Sequence, residues 1–178
     1  MAPGATRSAA DVACAAYDEG VTDIKPPRLC GSERETLLAL LQFQRESLIR
    51  KITGVDEAAA RQSAVASGTT LLWLVKHVAQ AEIQWMVRRF AGVAAELPET
   101  EVRPDDTAAA VIENYRAASA AADAVALAAT SLDELCRAQD VSPQVNLRWI
   151  LAHLLEETAR HAGHADILRE LIDGSTGR

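Results

Sequence analysis

Aromatic side chains are scarce in this sequence: three Trp, two Tyr and two Phe make up 4% of 178 residues. A core built from it cannot rest on ring stacking. It must use Leu, Ile, Val and an unusual amount of Ala, which dominate the 49% hydrophobic content. Small side chains let helices approach closely, and the composition reads as all-α. Positive charge is also short, with 18 Lys and Arg against 25 Asp and Glu, a net charge of −7. No nucleic-acid partner is expected, because phosphate binding needs clustered cations. Long apolar runs are missing, and none approaches the ~18 residues a membrane span requires, so no membrane partner is expected. The three cysteines, Cys14, Cys30 and Cys136, form no CxxC pair, which argues against a disulfide framework and a thiolate zinc site. The opening MAPGATRSAADVACAA has no long apolar segment of the signal-peptide kind, and a reducing cytoplasm is the expected location. Gly-rich phosphate loops, GxSxG elbows and Ser-His-Asp arrangements do not occur.

What is present reads as helices. Residues 1–31 mix Ala, Gly, Pro and charges and end in Lys25-Pro26-Pro27-Arg28, so they are expected to be a partly disordered N-terminal extension. Residues 32–178 then form the folded domain. Ser32-Glu33-Arg34-Glu35 is a capping box, followed by the stripe Leu37, Leu40, Leu41, Leu48 and Ile52 and a stop at Gly54. The polar linker 56–68 has room for a helical turn at Glu57 to Arg61. Thr69 or Thr70 caps a second long helix, whose face of Leu71, Leu74, Val78, Ala81 and Trp85 runs up to Gly92. Asp105-Asp106-Thr107 opens an Ala-rich third helix to about Ala129. Ser142-Pro143 opens a fourth that stops at Gly174. The expected architecture is a four-helix bundle, with Leu40, Leu74, Val78, Ile150, Leu154 and Leu168 in its core.

Histidine is scarce as well, yet three of the four lie in His153-Leu154-Leu155-Glu156-Glu157-Thr158-Ala159-Arg160-His161-Ala162-Gly163-His164. At ~100° per residue, positions 153, 157, 161 and 164 project within a quarter-turn of each other. Imidazole nitrogen and carboxylate oxygen are the usual ligands of a divalent metal that keeps a position open for chemistry. His153 and His161 stand eight residues apart, ~12 Å along a helix axis, too far to share one ion. Glu157 with His161, His153 with Glu157, and His161 with His164 remain, each needing His77 from the second long helix as the third ligand. The plainer reading is a polar stripe of hydrogen-bonded His and Glu, and Glu156 with Arg160 reads as a solvated i, i+4 pair. Trp73, Trp85 and Trp149 read as core or pocket wall, lining a cavity between the second and fourth helices.

The segments ERETLLALLQFQRESLIRKITG, LLWLVKHVAQAEIQWMVRRFAG and VNLRWILAHLLEETARHAGHADILRELIDG together resemble the DinB-like superfamily, in its actinobacterial mycothiol-transferase-like branch. The resemblance spans about residues 33–177. It implies a four-helix bundle holding a divalent metal through His77, Glu157 and His161, an arrangement similar to the metal-binding domain of mycothiol-dependent maleylpyruvate isomerases. His153 and His164 would then orient ligands or relay protons, and Trp73, Trp85 and Trp149 would border the cosubstrate. Zinc is the first expectation for the ion, with nickel, iron or manganese as other fits. The implied activity is a thiol S-transfer in which mycothiol attacks a small-molecule electrophile. A homodimer is compatible with it. Two other readings share the site: a hydrolase or isomerase using metal-bound water, and a non-catalytic metal-binding stress or interaction protein. The loop from Glu96 to Arg103 is short for the branch and the extension is additional, and both bear on the substrate pocket.

Overall fold

The computed structural model describes residues 24–138, 140 and 143–177, and the regular elements among them are helical apart from one isolated bridge between Leu135 and Asn146. Cys14 and residues 1–23 of the extension lie outside the described residues. Helix α1 (Glu33–Ile52) begins with both halves of the predicted capping box: Glu35 N–H donates to Ser32 Oγ at 3.3 Å, and Ser32 N–H donates to Glu35 Oε2 at 2.7 Å. Helix α2 (Glu57–Arg61) is the turn expected in the linker, its first amides bound by Asp56 Oδ1. Thr70 caps α3 (Leu71–Glu82) by accepting from Trp73 N–H at 3.0 Å. Thr107 caps α4 (Ala108–Ala128) in the same way through Ala110 N–H. Helix α5 (Leu147–Asp173) ends at Gly174, whose φ of 75° is the left-handed conformation that glycine takes without a Cβ clash. No helix among the described residues is long and apolar enough to cross a membrane.

Two boundaries differ from the sequence reading. The second long helix does not reach Gly92 as regular α-helix: from Ile83 to Phe90 it continues as a π-helical segment, closed by Ala91 N–H donating to Met86 O. Hydrophobic periodicity does not register a one-residue widening of the hydrogen-bond ring. The last helix starts after Pro143, with Asn146 as its cap accepting from Trp149 N–H at 3.0 Å, while Ser142 lies outside the described residues. Cys136 N–H donates to Val145 O, Leu147 N–H to Glu134 O, and Gln144 Nε2 to Cys136 O. These long-range bonds hold residues 144–147 against 134–136 and override the local Ser-Pro signal.

Two apolar clusters fill the interior. One joins Leu48, Ile52, Leu72, Val75, Val78, Val111 and Leu168; the other joins Leu41, Met86, Phe90, Ala126, Ile150, Leu151 and Leu154. Leu74, Val78, Ile150, Leu154 and Leu168 are buried as the stripes predict, but Leu40 is only half-buried. The phase of α1 explains this: Leu41, Arg45, Leu48 and Ile52 lead its buried face, and Leu40 stands ~100° away on the edge.

A polar layer separates the clusters. Arg45, 1% exposed, donates from Nε and Nη2 to the two oxygens of fully buried Glu82 at 2.7 and 2.5 Å, and from Nη1 to Asp123 at 2.9 Å. Ser119 Oγ adds a bond to Glu82 at 3.3 Å. This network ties α1, α3 and α4 at the point where the π-helical segment begins. Burial pushes the Glu82 carboxyl upward, and the Arg45 guanidinium opposes that.

Candidate metal centre

Trp73, His77, Ala81 and Trp85 recur every four residues on α3 and its extension, and Trp149, His153, Glu157 and His161 do the same on α5. The two stripes meet antiparallel. Trp73 lies edge-on to His161 with ring centres 6.3 Å apart, His77 faces Glu157, and Trp85 meets Trp149 at 5.2 Å. Advancing along one helix means retreating along the other, so residues distant in sequence share one contact face.

His77, Glu157 and His161 converge on that face, each offering one donor atom, and the donors all lie within 4.8 Å of one another. His77 Nε2 stands 3.0 Å and His161 Nε2 3.1 Å from the same oxygen, Glu157 Oε1. With bonds of ~2.0–2.2 Å, tetrahedral donors around zinc stand about 3.3–3.6 Å apart, so the triad needs only small side-chain movements to take an ion. Protonation favours it too. Burial works to raise the Glu157 carboxyl, but the hydrogen bond with His77 and the His161 ring beside it bring it below the usual carboxylate range. Burial of His161 lowers its pKa against the pull of Glu157, and His77 and His164 add to the lowering. An ionised carboxylate and a neutral imidazole are the forms a cation binds.

Trp73 stacks on His77 with ring centres 4.8 Å apart and planes 7° from parallel, which holds the imidazole facing α5. His161, 8% exposed, turns Nε2 to the carboxylate and Nδ1 to His164 Nδ1 at 3.3 Å. His164 therefore touches the triad through His161. His153 does not reach it: its ring stacks on Trp149 at 5.0 Å and packs edge-on against Trp85 at 4.9 Å. The three tryptophans are thus divided, with Trp73 beside the triad and Trp85 and Trp149 beyond Ala81. Glu156 pairs with exposed Arg160, as its spacing predicts, and lies 3.9 Å from His153.

The loop from Glu96 to Arg103, expected to bear on a pocket, borders a cavity of about 560 Å³, but on another side of α3 from the triad, bounded also by Lys76, Ile83, Asp106 and Asn114. Its signal was the pair of prolines, Pro98 and Pro104, that keeps the α3–α4 connection extended. A smaller cavity of about 240 Å³, lined by Val65, Ser67, Thr69, His164 and Leu168, opens next to His164.

Comparison with known proteins agrees with this arrangement of helices. A family model described as mycothiol-S-transferase matches residues 36–174. A crystal structure of a conserved protein from Enterococcus faecalis superposes with a TM-score of 0.62 at 15% identity, covering 82% of this chain and 100% of that one, which shows a shared fold. No curated protein matches the sequence.

Proposed function

Because this chain belongs to the mycothiol S-transferase family, we propose that it is a metal-dependent S-transferase joining the thiol of mycothiol to a small electrophile at His77, Glu157 and His161. The observation that supports this most is the convergence of those three donors at a partly buried position, where His77 and Glu157 keep some exposure to solvent. A closed structural site would need a fourth protein ligand. Three donors leave room for a substrate atom.

A divalent ion held there, zinc in the first instance, would supply positive charge that lets a bound thiol ionise near neutral pH. The residues provide the rest. His77 and His161 give Nε2 and Glu157 gives Oε1, two neutral groups and one anion, so the bound site keeps net positive charge. Trp73 fixes the His77 ring, and His164 fixes the other edge of His161. His164, which is exposed, would pass the thiol proton to water. The sulfur electron pair forms the new C–S bond, and the bond to the leaving group breaks with its electron pair departing on that group. Trp73, Trp85 and Trp149 border the path along that contact face, and the cytoplasm is the compartment that keeps such a thiol reduced.

The decisive experiment is calorimetric titration of mycothiol into metal-loaded and chelator-treated protein, with metal content measured in parallel. About one ion per chain and thiol binding only to the loaded form is the expected result. A loaded protein that ignores mycothiol yet hydrolyses small esters or amides would overturn the reading in favour of metal-activated water.

A further inference from the structure

We propose that Trp85, Trp149 and His153 form a stacking subsite for a flat ring on the electrophile, one to two helical turns along α5 from the metal triad. Only the identification of the occupant as the electrophile rests on the function proposed above.

The argument begins with scarcity. Two of three tryptophans and one of four histidines gather in a single cluster, in a chain with 4% aromatic content. That cluster is not sealed in the core, since Trp149 is 44% exposed and Trp85 and His153 are half-buried. An exposed large ring held by two partners is the arrangement that calls for an explanation. It also shares a stripe with the triad. From Glu157, His153 lies one turn along α5, ~6 Å, and Trp149 two turns, ~12 Å. A substrate whose reacting carbon sits at the triad would lay an attached ring against these side chains.

The same register places Ala81 opposite His153, between the two layers. Contacts narrow where the ring can lie. The Arg89 guanidinium lies over Trp85, 4.3 Å from the ring centre, and is bound to exposed Asp140 at 3.2 Å. That face of Trp85 is therefore already covered, which leaves the exposed side of Trp149 to receive an incoming planar ring.

Chelator-treated protein separates this subsite from the metal chemistry. It is titrated by calorimetry with 2-naphthol and with decahydro-2-naphthol, which share a carbon skeleton and a hydroxyl and differ in planarity. The planar compound should bind about tenfold more tightly, the scale of one ring-stacking contact. Trp149→Leu should abolish that preference and Trp149→Phe should restore most of it, with helical circular dichroism confirming that each variant is folded. Equal affinity for the two naphthols, or a preference that survives Trp149→Leu, overturns the subsite. Thiol binding to the loaded enzyme together with no ring preference would remove the subsite alone; ring preference without thiol binding would remove the transferase reading alone.

Discussion

His77 and His161 approach the same oxygen of Glu157, at 3.0 and 3.1 Å, the first from α3 across 80 residues of sequence and the second from the next turn of α5. The geometry assigns unequal consequences to the neighbouring histidines. His161→Ala should abolish metal retention while the helices persist, because apolar stripes and not the ion carry most of the packing. His164→Ala should weaken the metal by roughly 10–100-fold, the range for groups that orient a ligand. His153→Ala should leave metal content unchanged, since its ring packs on Trp85 and Trp149. Metal analysis after gel filtration, beside far-ultraviolet circular dichroism, checks all three. Loss of metal in His153→Ala with retention in His161→Ala would reverse the assignment.

The legible part of this structure is the part written in short-range spacing. Glu157 and His161 declare themselves by an i, i+4 step, Ser32 and Glu35 by a capping box, and Gly174 by its place after the last apolar residue. The illegible part depends on contacts between distant segments. Arg45 sits on the buried face of α1 among leucines, where a charged residue reads as an interruption of the stripe; only Glu82 and Asp123, from two other helices, make it a core residue. Asn146 caps α5 because residues 134–136 hold the preceding strand-like segment, which no local pattern at Ser142-Pro143 reveals. His153 carries the same helical phase as Glu157, so spacing groups it with the triad. Two tryptophans from separate helices decide otherwise.

The Arg45–Glu82 pair should be costly to break and cheaper to replace. Glu82→Leu leaves the Arg45 charge buried with Asp123 as its remaining carboxylate partner, and should lower stability by about 3–5 kcal/mol in urea denaturation. Adding Arg45→Met removes the orphaned charge and should recover most of that loss. A double variant as unstable as the single one would show that the network contributes through packing rather than charge pairing.

Helix α5 should respond to its true cap. Asn146→Ala removes the acceptor for Trp149 N–H and should cost about 0.5–2 kcal/mol. Pro143→Ala, outside the helix, should have a much smaller effect on α5. Thermal and urea melts of the two variants distinguish these sites, and the opposite ranking would place the helix start back at Pro143.

Acid should destabilise the metal-free protein through the triad itself. His161 has a folded pKa below its ordinary value of 6.5, and Glu157 one below its ordinary 4.5. For each, the unfolded chain binds more protons in the window between the two values, so stability is present above the ordinary value and is lost as pH falls through the folded one. The His161 contribution should therefore fade first, below about pH 6.5, and that of Glu157 below about 4.5. His161→Gln should flatten the first part of a stability-versus-pH curve. A curve from wild type that stays level between pH 7 and 5 would contradict the burial of a neutral His161.

Thiol dependence is the sharpest test of the proposed chemistry. The reaction needs a sulfur that can lose a proton, so S-methyl mycothiol should occupy the site yet give no product, because an alkylated sulfur has no proton to lose and cannot become a thiolate. Rate should also follow the ionised fraction of the thiol, with the apparent pKa in metal-loaded protein below the ~8.5 of a free cysteine thiol. Loading a softer or harder divalent ion should move that apparent pKa, whereas a bystander metal would leave it fixed. Initial rates measured with mycothiol, with its S-methyl derivative and with all low-molecular-weight thiols removed provide the readout. Undiminished turnover in the thiol-free reaction would mean that water, not sulfur, attacks the electrophile, and would reassign His77, Glu157 and His161 to a hydrolytic site.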